Sequence, residues 1–284
     1  MTKSRWMAWR WVGGVLLLLV VGAARADLVL GVHPFKPATK MAEAFSPLTS
    51  YLSEAMGEPV SLRIAKDYQT HTDAIGRDEV DIAYMGPASY AALVDKFGPK
   101  PLLARQANGG QPSFHGKIFV RADSPIRTLT DLKGRNFAFG ESHSTMSHLV
   151  PRYMLWQSAV MVSDLGSYKF LGDHVNVALA VLSGAYDAGA VKEDVYFTYE
   201  GRGLRAIATS APISDHVFVA SRKLPEAKAG KLRNIMLRMG REPKGAAALQ
   251  AVTPGVKALV AVKDSDYDSL RAVLRKMQEL GVAY

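Results

Sequence analysis

Short apolar runs alternate with stretches of helical spacing along almost the whole chain. LVLGV at 28–32 is a continuous apolar run of the kind buried on both faces of a parallel sheet. Met41, Phe45, Leu48, Leu52 and Met56 then recur at helical intervals, with Pro47 marking a kink or a second helix start and Gly57 capping the end. A strand at 60–65, a helix from about Gln69 to Gly76 and the strand VDIAY at 80–84 follow, and Pro87 suits the first position of the next helix. Further strands are expected at 101–105, 117–121, 136–139, 167–171, 187–191, 204–209 and 216–220. Helices are expected at 129–134, 146–159, 174–182, 193–200, 225–239, 245–250 and 268–280. Strands alternating with helices predict parallel sheets. The strands are too many for one comfortable sheet, which predicts two α/β lobes.

The N-terminus bears on the compartment. Lys3, Arg5 and Arg10 precede the apolar run VGGVLLLLVVG, and Ala24-Arg25-Ala26 supplies an A-x-A cleavage signal. This pattern predicts a cleaved signal peptide over 1–26 and a periplasmic mature chain beginning near Asp27. The run is shorter than the ~20 apolar residues a membrane span needs. Loss of the four basic residues of this segment lowers the formal net charge from +9 to +5. The remaining basic residues are scattered, which argues against nucleic acid and is compatible with a small acidic ligand. There is no cysteine, so disulfides, thiolate metal sites and a cysteine nucleophile are excluded.

Residues 136–153, NFAFGESHSTMSHLVPRY, carry the most pointed local chemistry. A short strand turns at Gly140, runs through five polar residues and enters an apolar stripe of helical spacing. The first turn of a helix leaves backbone N–H groups unpaired and carries partial positive charge, so it holds anions. Ser144, Thr145 and Ser147 add three hydroxyls within four residues. The plainer reading of Ser144 is an N-cap. Pro151 implies either a kink or a regular helix that starts only near His148.

Ligands of open α/β sheets sit off the carboxyl ends of strands. That rule makes His33, Phe35 and Lys36 minor candidates, with Lys36 read rather as an exposed loop residue. It also makes Ser89, in the first turn after VDIAY, a second helix start facing the same cleft. No cofactor is expected. There is no P-loop, no H-E-x-x-H zinc motif, and G-x-G-x-x-A at 201–206 leads into a strand rather than a helix. A hydrolase using Ser144 or Ser147 with a His and Asp215 lacks a G-x-S-x-G elbow.

VDIAYMGPASY (80–90), KIFVRADSPIRTLTDLKGRNFAFGE (117–141), STMSHLVP (144–151) and DAGAV (187–191) resemble, in order, the periplasmic phosphate, phosphite and phosphonate-binding proteins of ABC importers. The resemblance covers nearly all of the chain after residue 26. It implies a type II periplasmic-binding fold, with two α/β lobes joined by two crossover strands and a ligand cleft between them. One lobe would comprise 27–115 plus 218–284 and the other 116–217, with crossovers near Gly116–Arg121 and Asp215–Ala220. It implies binding of a small phosphorus oxyanion by Ser144, Thr145 and Ser147, with Met146 standing where the family has a Ser. His174 matches a family His, and Asp194 and Asp215 match its acidic partners. Tyr68 fits an aromatic position. A cleft aromatic falls at Met85, beside Tyr84, which suggests a ligand other than aminoethylphosphonate. The protein is then expected to be a monomer and not an enzyme. It would hand its ligand to an inner-membrane permease or, alternatively, report to a sensor kinase. Donors would be N–H and hydroxyl groups rather than an Arg clamp.

Overall fold

The computed structural model describes residues 27–282; the expected signal peptide lies outside the described residues. From the N-terminus the elements are β1 (Leu28–Val32), α1 (Ala38–Met56), β2 (Val60–Ile64), α2 (Tyr68–Gly76), β3 (Ile82–Met85), α3 (Pro87–Phe97) and β4 (Leu102–Asn108). A short β5 (Ser113–Phe114) leads to β6 (Gly116–Arg121), β7 (Asn136–Phe139), α4 (Val150–Gln157), β8 (Ser167–Phe170), α5 (His174–Leu182), β9 (Ala188–Lys192), α6 (Glu193–Glu200) and β10 (Leu204–Thr209). A short β11 (Ile213–Ser214) leads back to β12 (Val217–Ala220), α7 (Glu226–Met239), α8 (Pro243–Val252), β13 (Val256–Val260) and α9 (Asp268–Glu279).

Two sheets result. The first has the order β13-β4-β12-β3-β1-β2 and the second β10-β6-β9-β7-β8. Each has an apolar core on both faces. Leu30, Phe45, Leu52 and Phe218 pack on one face of the first sheet, and Ala83, Met85, Tyr90 and Val219 on the other. Ile118, Phe137 and Phe139 oppose Phe119, Val177 and Val191 in the second.

The sheets are mixed, not parallel throughout. β1 pairs parallel with β2 and β3, as β7 does with β8 and β9. β12 is antiparallel to β3 and β4, and β6 is antiparallel to β9 and β10. These are the strands that enter each sheet from the other lobe, so no right-handed βαβ crossover dictates their direction. The expected crossovers are displaced for the same reason. β6 and β12 lie wholly within their sheets, and the connection is the antiparallel pair β5–β11, a few residues earlier on each pass. β13 was not expected from its short run, KALV after a Gly. It is an edge strand completed by antiparallel pairing with β4.

α1 runs unbroken through Pro47, so neither a second start nor an interruption appears there, and Gly57 ends it with φ of 73°. Around Pro151 the chain uses neither expected solution alone. Residues Thr145–Leu149 form one π-helical turn before α4 begins at Val150, with Pro151 in its first turn. The wider turn lets Leu149 N–H reach Ser144 O at 3.0 Å and places the proline where its missing donor is not needed.

Candidate ligand-binding site

The carboxyl ends of β1, β3, β7 and β9 converge between the lobes, because parallel strands of each sheet point the same way. Loops leaving these ends enclose a small cavity of about 10 Å³, close to the room one water needs, so any occupant of this arrangement is compact. His33, Phe35, Tyr68 and Gly86 line it from the first lobe. Ser144, Thr145, Met146, His174 and Lys192 line it from the second, with Phe114 and His216 at the connection. The lobes touch here. Ala88 N–H donates to Thr145 Oγ1 at 2.9 Å, and the Lys192 ammonium lies 4.1 Å from the centre of the Phe35 ring.

Ser144 is indeed the cap of the turn, accepting from Ser147 N–H at 3.2 Å. It also meets His174 Nε2 at 3.3 Å. The tautomer of His174 follows from its other nitrogen. Lys192 N–H can only donate, and it points at Nδ1 at 3.1 Å. Nδ1 is therefore the acceptor and Nε2 carries the proton. Burial, followed by the Lys192 charge, lowers the His174 pKa to about 3, so the ring is a neutral N–H donor. Both Ser144 lone pairs are then taken, which leaves its O–H to donate. The Tyr68 side chain lines the same cavity. Thr145 Oγ1 already accepts from Ala88, which frees its proton as well. The cavity thus offers hydroxyl protons and one ammonium, with the His174 Nε2–H orienting Ser144, a set complementary to an acceptor-rich anion.

The opposite wall presents two imidazoles. His33 Nδ1 donates to Tyr84 O at 3.3 Å, and His71 Nε2 donates to the same carbonyl at 3.0 Å. His216 Nδ1 faces Asp215 Oδ1 at 2.9 Å. Burial lowers both His33 and His216; for His33 the neighbouring His216 acts in the same direction, whereas Asp215 opposes the shift at His216. The free nitrogens of His33 and His216 approach Gly86 at the start of α3.

Four of the ten principal candidates, Ser144, Thr145, His174 and Tyr68, line this cavity, as do the minor candidates His33 and Phe35. Six do not. Ser147 turns its hydroxyl under the turn to donate to Ala190 O at 2.5 Å, because it is fully buried against β9. Tyr84 lies behind His33 and His216, its ring nearly parallel to that of His216 at 4.9 Å, with its hydroxyl donating to Gln106. Met85 alternates to the opposite face of the sheet and packs with Tyr90 and Val219. Ser89 is buried one residue beyond the part of α3 that faces Thr145. Asp215 reaches the cavity only through His216. Asp194 is paired with Lys192 at 3.2 Å and lines an outer groove with Lys36. Burial pushes the Asp194 carboxyl up, but Lys192 and Lys36 outweigh it and hold the carboxyl below its usual value.

Lys192 was missed. It directly follows DAGAV, at the strand end where ligands are expected, and falls between the strand expected at 187–191 and the helix expected at 193–200. His216 was passed over as part of a strand. Lys36 is less exposed than a loop lysine should be: burial and then Lys192 bring its pKa down to about 8.

Two lobes of mixed α/β structure, joined by a pair of short strands and enclosing a cavity of convergent donors, define a cleft-closing binding protein of the periplasmic type. Residues 30–267 match the family described as ABC transporter, phosphonate, periplasmic substrate-binding protein, and the chain belongs to that family. It is 27% identical to the phosphate-import protein PhnD of Mycolicibacterium smegmatis, over 87% of this chain and 84% of that protein. It is 26% identical to the phosphonates-binding periplasmic protein of Escherichia coli, over 72% and 64% of the two chains. In fold it is similar to PhnD1 of Prochlorococcus marinus, solved in complex with methylphosphonate, with a TM-score of 0.82, 19% identity and coverage of 89% and 98%.

Proposed function

We propose that this chain captures a compact phosphorus oxyanion (phosphite, phosphate or a small phosphonate) between its lobes and delivers it to an ABC permease. The observation that carries the reading is the convergence of the Thr145 and Ser144 hydroxyls, Ser144 oriented by the His174 Nε2–H, and the Lys192 ammonium on one small cavity. The relatives named for phosphate and phosphonates bind ligands of this chemistry. Residues 1–26 act as a cleaved export signal, placing the mature chain in the periplasm as a monomer. The lobes divide one residue earlier than expected on the return pass, 27–115 with 217–284 and 116–216, because Val217 already pairs with β3 and β4; they hinge at β5 and β11 and close when a ligand bridges Ser144 and Thr145 to the first lobe. The His174 tautomer argues against a serine hydrolase: the nitrogen facing Ser144 already carries a proton and has no basicity to offer.

Thermal denaturation with phosphite, phosphate, methylphosphonate, aminoethylphosphonate, sulfate and arsenate tests this. A true ligand at a hundred times its Kd adds about 2.7 kcal/mol, or about 5–10 °C for a chain of this length. Absence of a shift with every anion removes the reading.

A further inference from the structure

Among the described residues, Lys192 is the charged side chain that lines the inner cavity, and no carboxylate does. Its side chain is 4% exposed. Its ammonium contacts Asp194 Oδ2 at 3.2 Å on one side and the Phe35 ring on the other. Lys36 lies over the same ring at 5.4 Å. The acids that could receive a cationic group on a ligand are both committed. Asp194 is held by Lys192 and lies outside the inner cavity, and Asp215 is held behind His216. The neighbouring outer groove is lined by Lys36, Lys40, Glu43 and Asp194, and each of its carboxylates is already paired with a lysine, Glu43 with Lys40 and Asp194 with Lys192.

We infer that Lys192 is a specificity-determining residue: its buried ammonium is the charge a ligand substituent meets in a cavity that offers no free carboxylate, so the site selects phosphonates with an uncharged substituent, or none, and rejects aminoalkylphosphonates. This inference rests on the anion-binding reading above. The physical basis is like-charge repulsion in a desolvated place, where an unpaired second ammonium is costly. Lys192 also spans the cleft, since it belongs to the second lobe and Phe35 to the first, so the closed form itself installs the discriminating charge.

Titration calorimetry with methylphosphonate, ethylphosphonate and 2-aminoethylphosphonate reads the effect. The last two share a two-carbon chain and differ in the ammonium. The native protein is expected to bind ethylphosphonate at least tenfold more tightly than 2-aminoethylphosphonate. Lys192→Met is expected to weaken ethylphosphonate and to shrink that ratio severalfold. Lys192→Met combined with Asp194→Asn removes both charges, guards against a folding defect from an unpaired buried carboxylate, and is expected to bring the ratio near one. Equal native affinity for the two-carbon ligands, or an unchanged ratio in the double variant, overturns the inference and leaves anion binding standing. Binding of methylphosphonate but of neither two-carbon ligand shows selection by size and also overturns it. Failure of all three ligands, of phosphite and of phosphate would instead bring down the anion-binding reading itself.

Discussion

Ala88 and Thr145 meet across the cleft: a backbone N–H in the first turn of α3 donates to the Thr145 hydroxyl oxygen, 57 residues further on and in the other lobe. The hydroxyl of one helix start thereby caps a backbone donor of the other. A ligand oxygen at this junction can accept from the Thr145 O–H without breaking the link, so closure and binding reinforce each other.

Thr145→Val tests that junction. It removes the acceptor for Ala88 and the donor for the ligand at similar volume. Loss of one charge-assisted hydrogen bond costs about 1.5–3 kcal/mol, so titration calorimetry is expected to show an affinity loss of roughly ten- to a hundredfold, with circular dichroism unchanged.

Ser147→Ala should behave oppositely. Its hydroxyl serves Ala190 O, so the expected loss is about 1 kcal/mol of folding stability, read by urea denaturation, with affinity little changed. A binding defect as large as that of Thr145→Val would contradict this assignment.

His174 has two separable roles. Asparagine can place an acceptor near the Nδ1 position and keep the Lys192 N–H satisfied, while losing the Nε2 donor. His174→Asn is expected to weaken ligand binding with a small effect on melting. His174→Ala should weaken binding and also cost about 1–3 kcal/mol of stability through the stranded N–H.

Gly140 has to be glycine because of Ser147. A Cβ at Gly140 would run into the Ser147 side chain, including its Oγ, which is fixed beneath the turn. Gly140→Ala should cost about 1–3 kcal/mol and displace Ser144 and Thr145, lowering both the melting midpoint and the affinity.

Stability should fall with acidity. Burial lowers the pKa of His71 and His148 to about 4, and burial with Lys192 lowers that of His174 to about 3. Between roughly pH 6.5 and those values the unfolded chain binds protons that the folded chain does not, so stability rises with pH through this window. Melting curves from pH 7.5 to 4 should show a falling midpoint, each histidine contributing on the order of 1.4 kcal/mol per pH unit at most. A flat profile would exclude these neutral buried rings.

Much of this protein is written locally in its residues. Apolar runs and helical stripes define α5, α6 and β10 to the residue, because burial on both faces of a sheet needs continuous apolar strands and each helix needs one apolar stripe. The polar loop at 140–145 identifies Ser144 and Thr145, since a helix start with hydroxyls has the same donor chemistry in any fold. What proximity in sequence cannot convey is which side of a strand faces the cleft and what lies opposite it. Tyr84 and Met85 are adjacent, yet the pleat sends them to the core and to the far face of the sheet. Ser147 is three residues from Ser144 but is claimed by a carbonyl of β9, 43 residues away. Lys192 becomes a buried cation only because β9 ends where Phe35 and Asp194 enclose it. These outcomes depend on contacts between segments far apart in the chain, whose energies exist only once both lobes are folded and brought together.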